Sequence, residues 1–303
     1  MYGQYSDPTH VVAHLSDPHL LAGGALLYGA VDTEANLAQA LARLARLNPR
    51  PQALVFTGDL ADRAEPKAYA RLREIVDPAA AELGAQVIWT MGNHDERAAY
   101  SHGLFDSDED VAQDRVYDVA GLRVVALDTS VPGWHHGALD DEQLARLRDQ
   151  LATPAEHGTL LAMHHPPIPV PMMRPAEVIE LLDQHRLADV VAGTDVRAVI
   201  GGHFHFTSWS TFAGVPVSVA SATCYTGDPA PDGRFVSGVD GHQAFTMLHF
   251  YDDRVVSTVV PVADAAEVSG YPADVEPLVA AMSPEERFDL LSRKDSPLYT
   301  GEL

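Results

Sequence analysis

The sequence predicts an α/β fold: one large domain over residues 1–265 and a C-terminal helical extension over 266–303. Three observations predict it. Short apolar runs alternate with helical patterns through the first two-thirds of the chain. Beyond Gly202 short strands take over, separated by tight turns. The last segment then opens a helix with a start signal of its own. No internal repeat and no linker divides the rest.

Val11 to Leu15 reads as the first strand, and Thr33 as the N-cap of a helix with Leu37, Leu41, Leu44 and Leu47 on one face. Ala53 to Phe56 is a short buried strand, followed by a helix from about Lys67 to Leu83 and a strand from Gln86 to Met91. Arg115 to Val119 and Leu122 to Leu127 flank Ala120-Gly121 as a hairpin. Asp140 with Gln143 forms a capping box ahead of Leu144, Leu147 and Leu151. A strand over Thr159 to Met163, a helix over Glu177 to Arg186 and a strand over Ala198 to Ile200 follow. The later strands are Trp209 to Phe212, Val215 to Val219, Ala244 to Phe250 and Val255 to Val260, turning at Ala213-Gly214 and Asp252-Asp253. Gly227 to Gly241, rich in Gly, Pro and Asp, reads as a loop. Ser283-Pro284-Glu285-Glu286 is a second capping box, Phe288, Leu290 and Leu291 continue its helix, and Pro297 stops it.

Of the 303 residues, 46% are hydrophobic, enough for a sizeable core. No apolar run approaches the ~20 residues a membrane-spanning helix needs. Met1 to His10 is polar, so no signal peptide is expected. Cys224 is the only cysteine, which excludes an intramolecular disulfide and suits a cytoplasmic location. The formal net charge of −23 argues against nucleic acid as a partner. A small phosphate ester remains possible if bound metal ions reverse the local field.

Five strands end on metal-competent residues: Ser16-Asp17-Pro18-His19, Thr57-Gly58-Asp59, Gly92-Asn93-His94-Asp95, His164-His165-Pro166-Pro167 and Gly201-Gly202-His203-Phe204-His205. Ligands of open α/β sheets bind beyond the carboxyl ends of the strands, so the five clusters are expected along one edge of one sheet. Carboxylates, imidazoles and one amide carbonyl, with no thiolate among them, suit manganese, iron, zinc or cobalt. Asp17-x-His19 and His203-x-His205 have the spacing by which an extended segment aims two side chains to one side. Asp59 could bridge two ions through its two oxygens, and two ions ~4 Å apart clamp an in-line displacement at phosphorus. Gly58, Gly92 and Gly202 lie where close backbone approach is useful.

Taken in order and without a gap, Asp17-x-His19, Gly58-Asp59-x-x-Asp62, Gly92-Asn93-His94-Asp95, His164-His165-Pro166 and Gly202-His203-x-His205 resemble the calcineurin-like metallophosphoesterase superfamily. Leu27 to Asp32, Asp128 to Gly133, His165 to Pro169 and Ser218 to Thr226 are similar to its mycobacterial class III 3′,5′-cyclic-nucleotide phosphodiesterases. The similarity runs to about Val262 and fades in Gly227 to Gly241 and in the tail.

The resemblance implies a four-layer αββα sandwich, a homodimer and a dinuclear centre, with iron and manganese first and zinc or cobalt as alternatives. One ion is expected on Asp17, His19 and His205, the other on Asn93, His164 and His203, with Asp59 shared. His165 would support the ligands from behind or be structural. His94 matches the acid that protonates the leaving group, oriented by Asp62 or Asp95, and Asn93 and His94 would also meet the substrate. The implied reaction is attack of a metal-bound hydroxide on the phosphorus of a cyclic nucleotide, 3′,5′-cAMP first. The alternative is a broader phosphodiesterase or phosphomonoesterase acting on 2′,3′-cyclic nucleotides or glycerophosphodiesters, because a site class does not set the alcohol.

Overall fold

The computed structural model describes residues 4–296. In chain order the elements are β1 (His10–Leu15), α1 (Thr33–Leu44), β2 (Ala53–Thr57), α2 (Pro66–Leu83), β3 (Gln86–Thr90), α3 (Arg97–Phe105), β4 (Arg115–Val119), β5 (Leu122–Leu127), α4 (Asp141–Leu151), β6 (Thr159–Met163), α5 (Gln184–Val191), β7 (Val196–Gly201), β8 (Ser208–Phe212), β9 (Val215–Val219), β10 (Thr226–Gly227), β11 (Gly238–Val239), β12 (Ala244–Phe250), β13 (Val255–Pro261), α6 (Val275–Ala281) and α7 (Pro284–Ser292). Two compact units emerge: residues 8–263, and residues 264–296 with 4–7. Among the described residues no helix is long and apolar enough to cross a membrane.

The larger unit holds a five-stranded sheet, ordered β13-β12-β1-β2-β3, and a six-stranded sheet, ordered β4-β5-β6-β7-β9-β8. Strands β1, β2 and β3 run parallel, as do β5, β6, β7 and β9. β1, β2 and β6 are buried at every residue, as parallel strands covered on both faces must be. Their period of two sorts side chains between layers. Val11, Ala13 and Leu15 join Leu37, Leu41, Tyr69, Leu72 and Tyr100 in the core under α1, α2 and α3. Val12 turns the other way and meets Val55, Ile88, Val124, Leu160, Ile200 and Leu248 between the sheets. Leu161, Met163 and Val199 close the far core with Leu144, Leu147 and Leu187 of α4 and α5. Helices, sheet, sheet and helices thus make a four-layer αββα sandwich. Each fully buried Leu or Val in these cores contributes about 1.5–3 kcal/mol.

Four sequence expectations need correction. The five functional strand ends lie on one edge of the sandwich but on two sheets, because the β4–β5 hairpin starts a new sheet before β6 and β7 are added. Asp32, not Thr33, caps α1 by accepting from the Ala35 N–H. The helix expected over 177–186 is a 3₁₀ turn at Arg174–Val178 followed by α5. Between them the backbone pairs with Gly137 through Glu180 and Leu182, a tertiary demand that overrides the helical pattern. The stretch 227–241 is not all loop, since β10 and β11 pair at its two ends.

The capping boxes of α4 and α7 form as read. Pro297 lies outside the described residues.

Candidate metal centre

Asp17 and His19 leave β1, Asp59 leaves β2, Asn93 follows β3, His164 follows β6, and His203 and His205 follow β7. Their side chains converge. Asp59 Oδ2 lies 3.4 Å from His19 Nε2 and 3.3 Å from His164 Nε2. On one side His19 Nε2 faces His205 Nε2 at 3.2 Å, and His205 Nε2 faces Asp17 Oδ1 at 3.4 Å. On the other, His164 Nε2 lies 3.0 Å from Asn93 Oδ1 and 3.2 Å from His203 Nδ1. The seven residues therefore form two donor groups that share one carboxylate oxygen.

Asp59 Oδ2 is the oxygen that faces both histidines, while Asp59 Oδ1 accepts from the His94 backbone N–H at 2.8 Å. The paired ligands are not on extended backbone. Asp17, His19, Asp59, His203 and His205 take φ of 52°, 43°, 50°, 74° and 59°. Left-handed backbone at five non-glycine residues is strain of the kind that accumulates at functional sites. It also splits one pair, sending His203 to His164 and His205 to His19.

The outward nitrogens settle what the inward ones present. His164 Nδ1 donates to Thr57 O at 2.7 Å, His203 Nε2 to Ile179 O at 2.9 Å and His205 Nδ1 to Tyr225 O at 3.1 Å. His19 Nδ1 donates to Asp62 Oδ1 at 3.1 Å. Carbonyl and carboxylate oxygens only accept, so each facing nitrogen carries the proton and the inner nitrogen presents a lone pair. Asn93 is oriented likewise: its Nδ2 donates to His135 Nδ1 at 2.8 Å and turns the carbonyl inward. Four imidazole lone pairs, two carboxylates and a carbonyl thus meet with no donor among them. Such a cluster demands positive charge, and oriented imidazoles are the usual surroundings of metal ligands. That demand shows at His164: burial depresses it, but the adjacent Asp59 prevails and raises it to about 9, so this ring takes up a proton where no cation supplies the charge. Burial, then His164, push His203 down to about 3. Burial lifts Asp17, yet His205 and His164 hold it at about 2.

Glycines make the convergence possible. A Cβ on Gly92 would stand 2.2 Å from Asp59 N, one on Gly58 2.6 Å from His164 Nδ1, and one on Gly202 2.5 Å from Asp17 Oδ2. Asp95 fixes the loops from beneath, accepting from Leu60 N, Ala61 N, Gly92 N and the Tyr69 hydroxyl. Burial and the neighbouring Asp59 raise it to about 6. Its contacts go to these groups, whereas His94 Nδ1 donates to Asp62 O at 2.9 Å. His165, one of three clustered histidines, has both ring nitrogens engaged, with Thr129 Oγ1 and His135 O.

The centre opens into a cavity of about 290 Å³ whose lining includes His94, His135, Met173, Phe204, Tyr225 and Val236. His135 was missed in the sequence. It belongs to no spaced motif, and only the run Trp134-His135-His136 hints at it.

Residues 10–206 match the family model described as calcineurin-like phosphoesterase. The chain is 49% identical over 274 residues to a protein of Rhodococcus erythropolis named as a probable cyclic nucleotide phosphodiesterase, covering 90% of each chain. It is 48% identical over 269 residues to a cAMP/cGMP dual specificity phosphodiesterase of Mycobacterium tuberculosis, covering 88% of this chain and 84% of the other. Among solved structures it resembles a dimetal phosphatase from Danio rerio, with a TM-score of 0.58, 16% identity and coverage of 85% and 98%.

Proposed function

We propose that this chain, which belongs to the calcineurin-like phosphoesterase family, is a dinuclear-metal phosphodiesterase that hydrolyses 3′,5′-cyclic nucleotides, cAMP first. The observation that carries the chemistry is the donor-free cluster around Asp59 Oδ2. Support for the substrate comes from relatives that are about half identical across most of the chain and bear cyclic-nucleotide phosphodiesterase names.

In this reading Asp17, His19 and His205 would hold one ion and Asn93, His164 and His203 the other, with Asp59 shared. When bound, two such ions lower the pKa of water toward 7 and neutralise the phosphodiester oxygens, which lets a chain of net charge −23 accept an anion. The protein supplies the rest. Asn93, locked by His135, keeps its carbonyl inward. His94 spends Nδ1 on the Asp62 carbonyl, which leaves Nε2 to hold a proton for the departing ribose oxygen. That oxygen leaves as a strongly basic alkoxide, so the proton matters. Iron with manganese is the pair we assign, zinc or cobalt substituting. Residues 1–265 form the catalytic domain and 266–303 an extension, in a cytoplasmic homodimer.

A turnover panel with purified, manganese-loaded protein tests the reading. It compares 3′,5′-cAMP, 3′,5′-cGMP, 2′,3′-cAMP, glycerophosphodiesters and simple monoesters. The 3′,5′-cyclic substrates are expected to lead in kcat/KM. Faster turnover of glycerophosphodiesters, 2′,3′-cyclic nucleotides or monoesters would establish the broader phosphoesterase instead.

A further inference from the structure

Two stretches outside the seven converging residues, Leu27–Asp32 and Ser218–Thr226, meet beside the centre. Leu27 and Val31 pair across a tight turn and share a small core with Ala222, Cys224 and Tyr225. The turn lifts Tyr28 to its tip with φ 53° and 74% exposure. A bulky residue seldom takes that backbone without a reason. Here the Tyr28 ring meets Tyr225 edge-on at 5.7 Å.

Tyr225 lies 4.5 Å from the His205 ring and lines the cavity. Gly238 lies flush against it, since a Cβ there would stand 2.6 Å from Tyr225 Cε2. Gly238 pairs with Gly227 in the β10–β11 ribbon, so the ribbon runs past the ring without a side chain in the way. Met173, Ile179, Phe204 and Val236 continue this wall. Apart from the Tyr225 hydroxyl, its one polar side chain is Ser237. The cavity is therefore divided: acceptors for cations on its floor, and an aromatic and aliphatic wall beside them.

We propose that Tyr225, braced by Tyr28, is the aromatic wall against which the nucleobase of the substrate packs. The assignment rests on the cyclic-nucleotide reading above. Packing against a π-face tolerates any base, because every base has such a face. A wall without amide or carboxylate side chains does not read the base edge. Adenine and guanine are thus accepted alike, and the smaller pyrimidines bind less well.

The test compares kcat/KM for cAMP, cGMP, cCMP and the base-free ribose 3′,5′-cyclic phosphate in wild type, Tyr225→Phe and Tyr225→Ala, with bound metal counted in each. In Tyr225→Ala the preference for cAMP over the base-free analogue is expected to fall about 5- to 150-fold, mostly through KM, the span of one base–aromatic contact. Tyr225→Phe keeps the ring and the preference. If Tyr225→Ala lowers both substrates equally, the residue merely supports His205 and the proposal is overturned. A wild type that turns over the base-free analogue as well as cAMP overturns it too, while leaving cyclic-nucleotide hydrolysis intact. A wild type active on glycerophosphodiesters but on no cyclic nucleotide removes the underlying reading.

Discussion

Gly92→Ala is the sharpest probe of the shared carboxylate. The added Cβ would stand 2.2 Å from Asp59 N, 2.3 Å from Asp59 Oδ1 and 3.0 Å from Asp59 Cα. Carbon needs ~3.5–4.0 Å from a non-bonded neighbour, so one of the two backbones must move by about 1 Å. Gly92 has no positive φ, so alanine suits its backbone and the collision is the whole effect. Asp59 cannot swing aside freely, because its Oδ1 holds the His94 N–H and Asp95 pins Leu60 and Ala61 behind it. Overpacking of this kind costs about 1–3 kcal/mol, and a misplacement of about 1 Å at reacting groups costs ~10²-fold in rate. Manganese-loaded Gly92→Ala should therefore lose ~10²-fold or more in kcat/KM and release one of its two ions at limiting metal. Gly241→Ala, with nothing within 4 Å, serves as the control and should match wild type. Two retained ions and near-normal turnover in Gly92→Ala would refute the role given to Asp59 Oδ2.

Further outcomes follow from the same geometry. His94→Ala should keep both ions, lose ~10²-fold or more on cAMP and clearly less on bis(nitrophenyl) phosphate, whose phenolate needs little protonation; steady-state kinetics with both esters decides, and equal losses assign His94 to phosphate positioning. Asp95→Asn places an amide where Oδ2 accepts from both Leu60 N and Gly92 N, and urea denaturation should show a loss of about 2–4 kcal/mol; an unchanged midpoint would remove Asp95 as the anchor of these loops. Buried His14 is pushed down to about 3, so the unfolded chain binds its proton near 6.5 and the folded chain does not. Stability from this residue is full above pH 6.5 and declines as pH falls, by ~2.7 kcal/mol at pH 4.5; His14→Gln should remove about that much of the difference between pH 7 and 4.5, and an unaltered slope counts against it.

The residues that converge at the candidate centre were legible because each lies just beyond an apolar strand, and a strand end is the one place where an apolar run and a polar cluster must adjoin. What orients them was not. Thr57, Ile179 and Tyr225 hold three histidines through backbone carbonyls, which any residue supplies. The same carbonyls explain the lost helix over 177–186. Ile179 O accepts from His203 while Glu180 and Leu182 pair with Gly137, and a continuous helix would consume these groups internally. α3 escaped notice for a simpler reason: Ser101, His102 and Gly103 dilute its nine residues, and only Tyr100, Ser101 and Leu104 are buried. Division into two sheets was equally hidden, because a hairpin that extends one sheet reads like a hairpin that begins another.

Left-handed backbone at five residues of the candidate centre, packed glycines and converging lone pairs all act against the fold when considered alone. Strain of about 1–3 kcal/mol at each non-glycine residue is a large fraction of the 5–15 kcal/mol that stabilises a typical protein. The surrounding sandwich offsets this by over-determining the loops: Asp95 ties three backbone N–H groups, and both Asp17 oxygens accept from His203 N at 3.2 Å. The carboxylates therefore fix backbone with one set of lone pairs while presenting others to the centre. Cations that bind only the folded arrangement return stability by mass action, in proportion to the logarithm of their concentration over Kd. Metal occupancy and loop order are then a single equilibrium. This is why three histidines held by main-chain carbonyls, and a fourth by the Asp62 carboxylate, suit a site that must keep its geometry while substrates come and go.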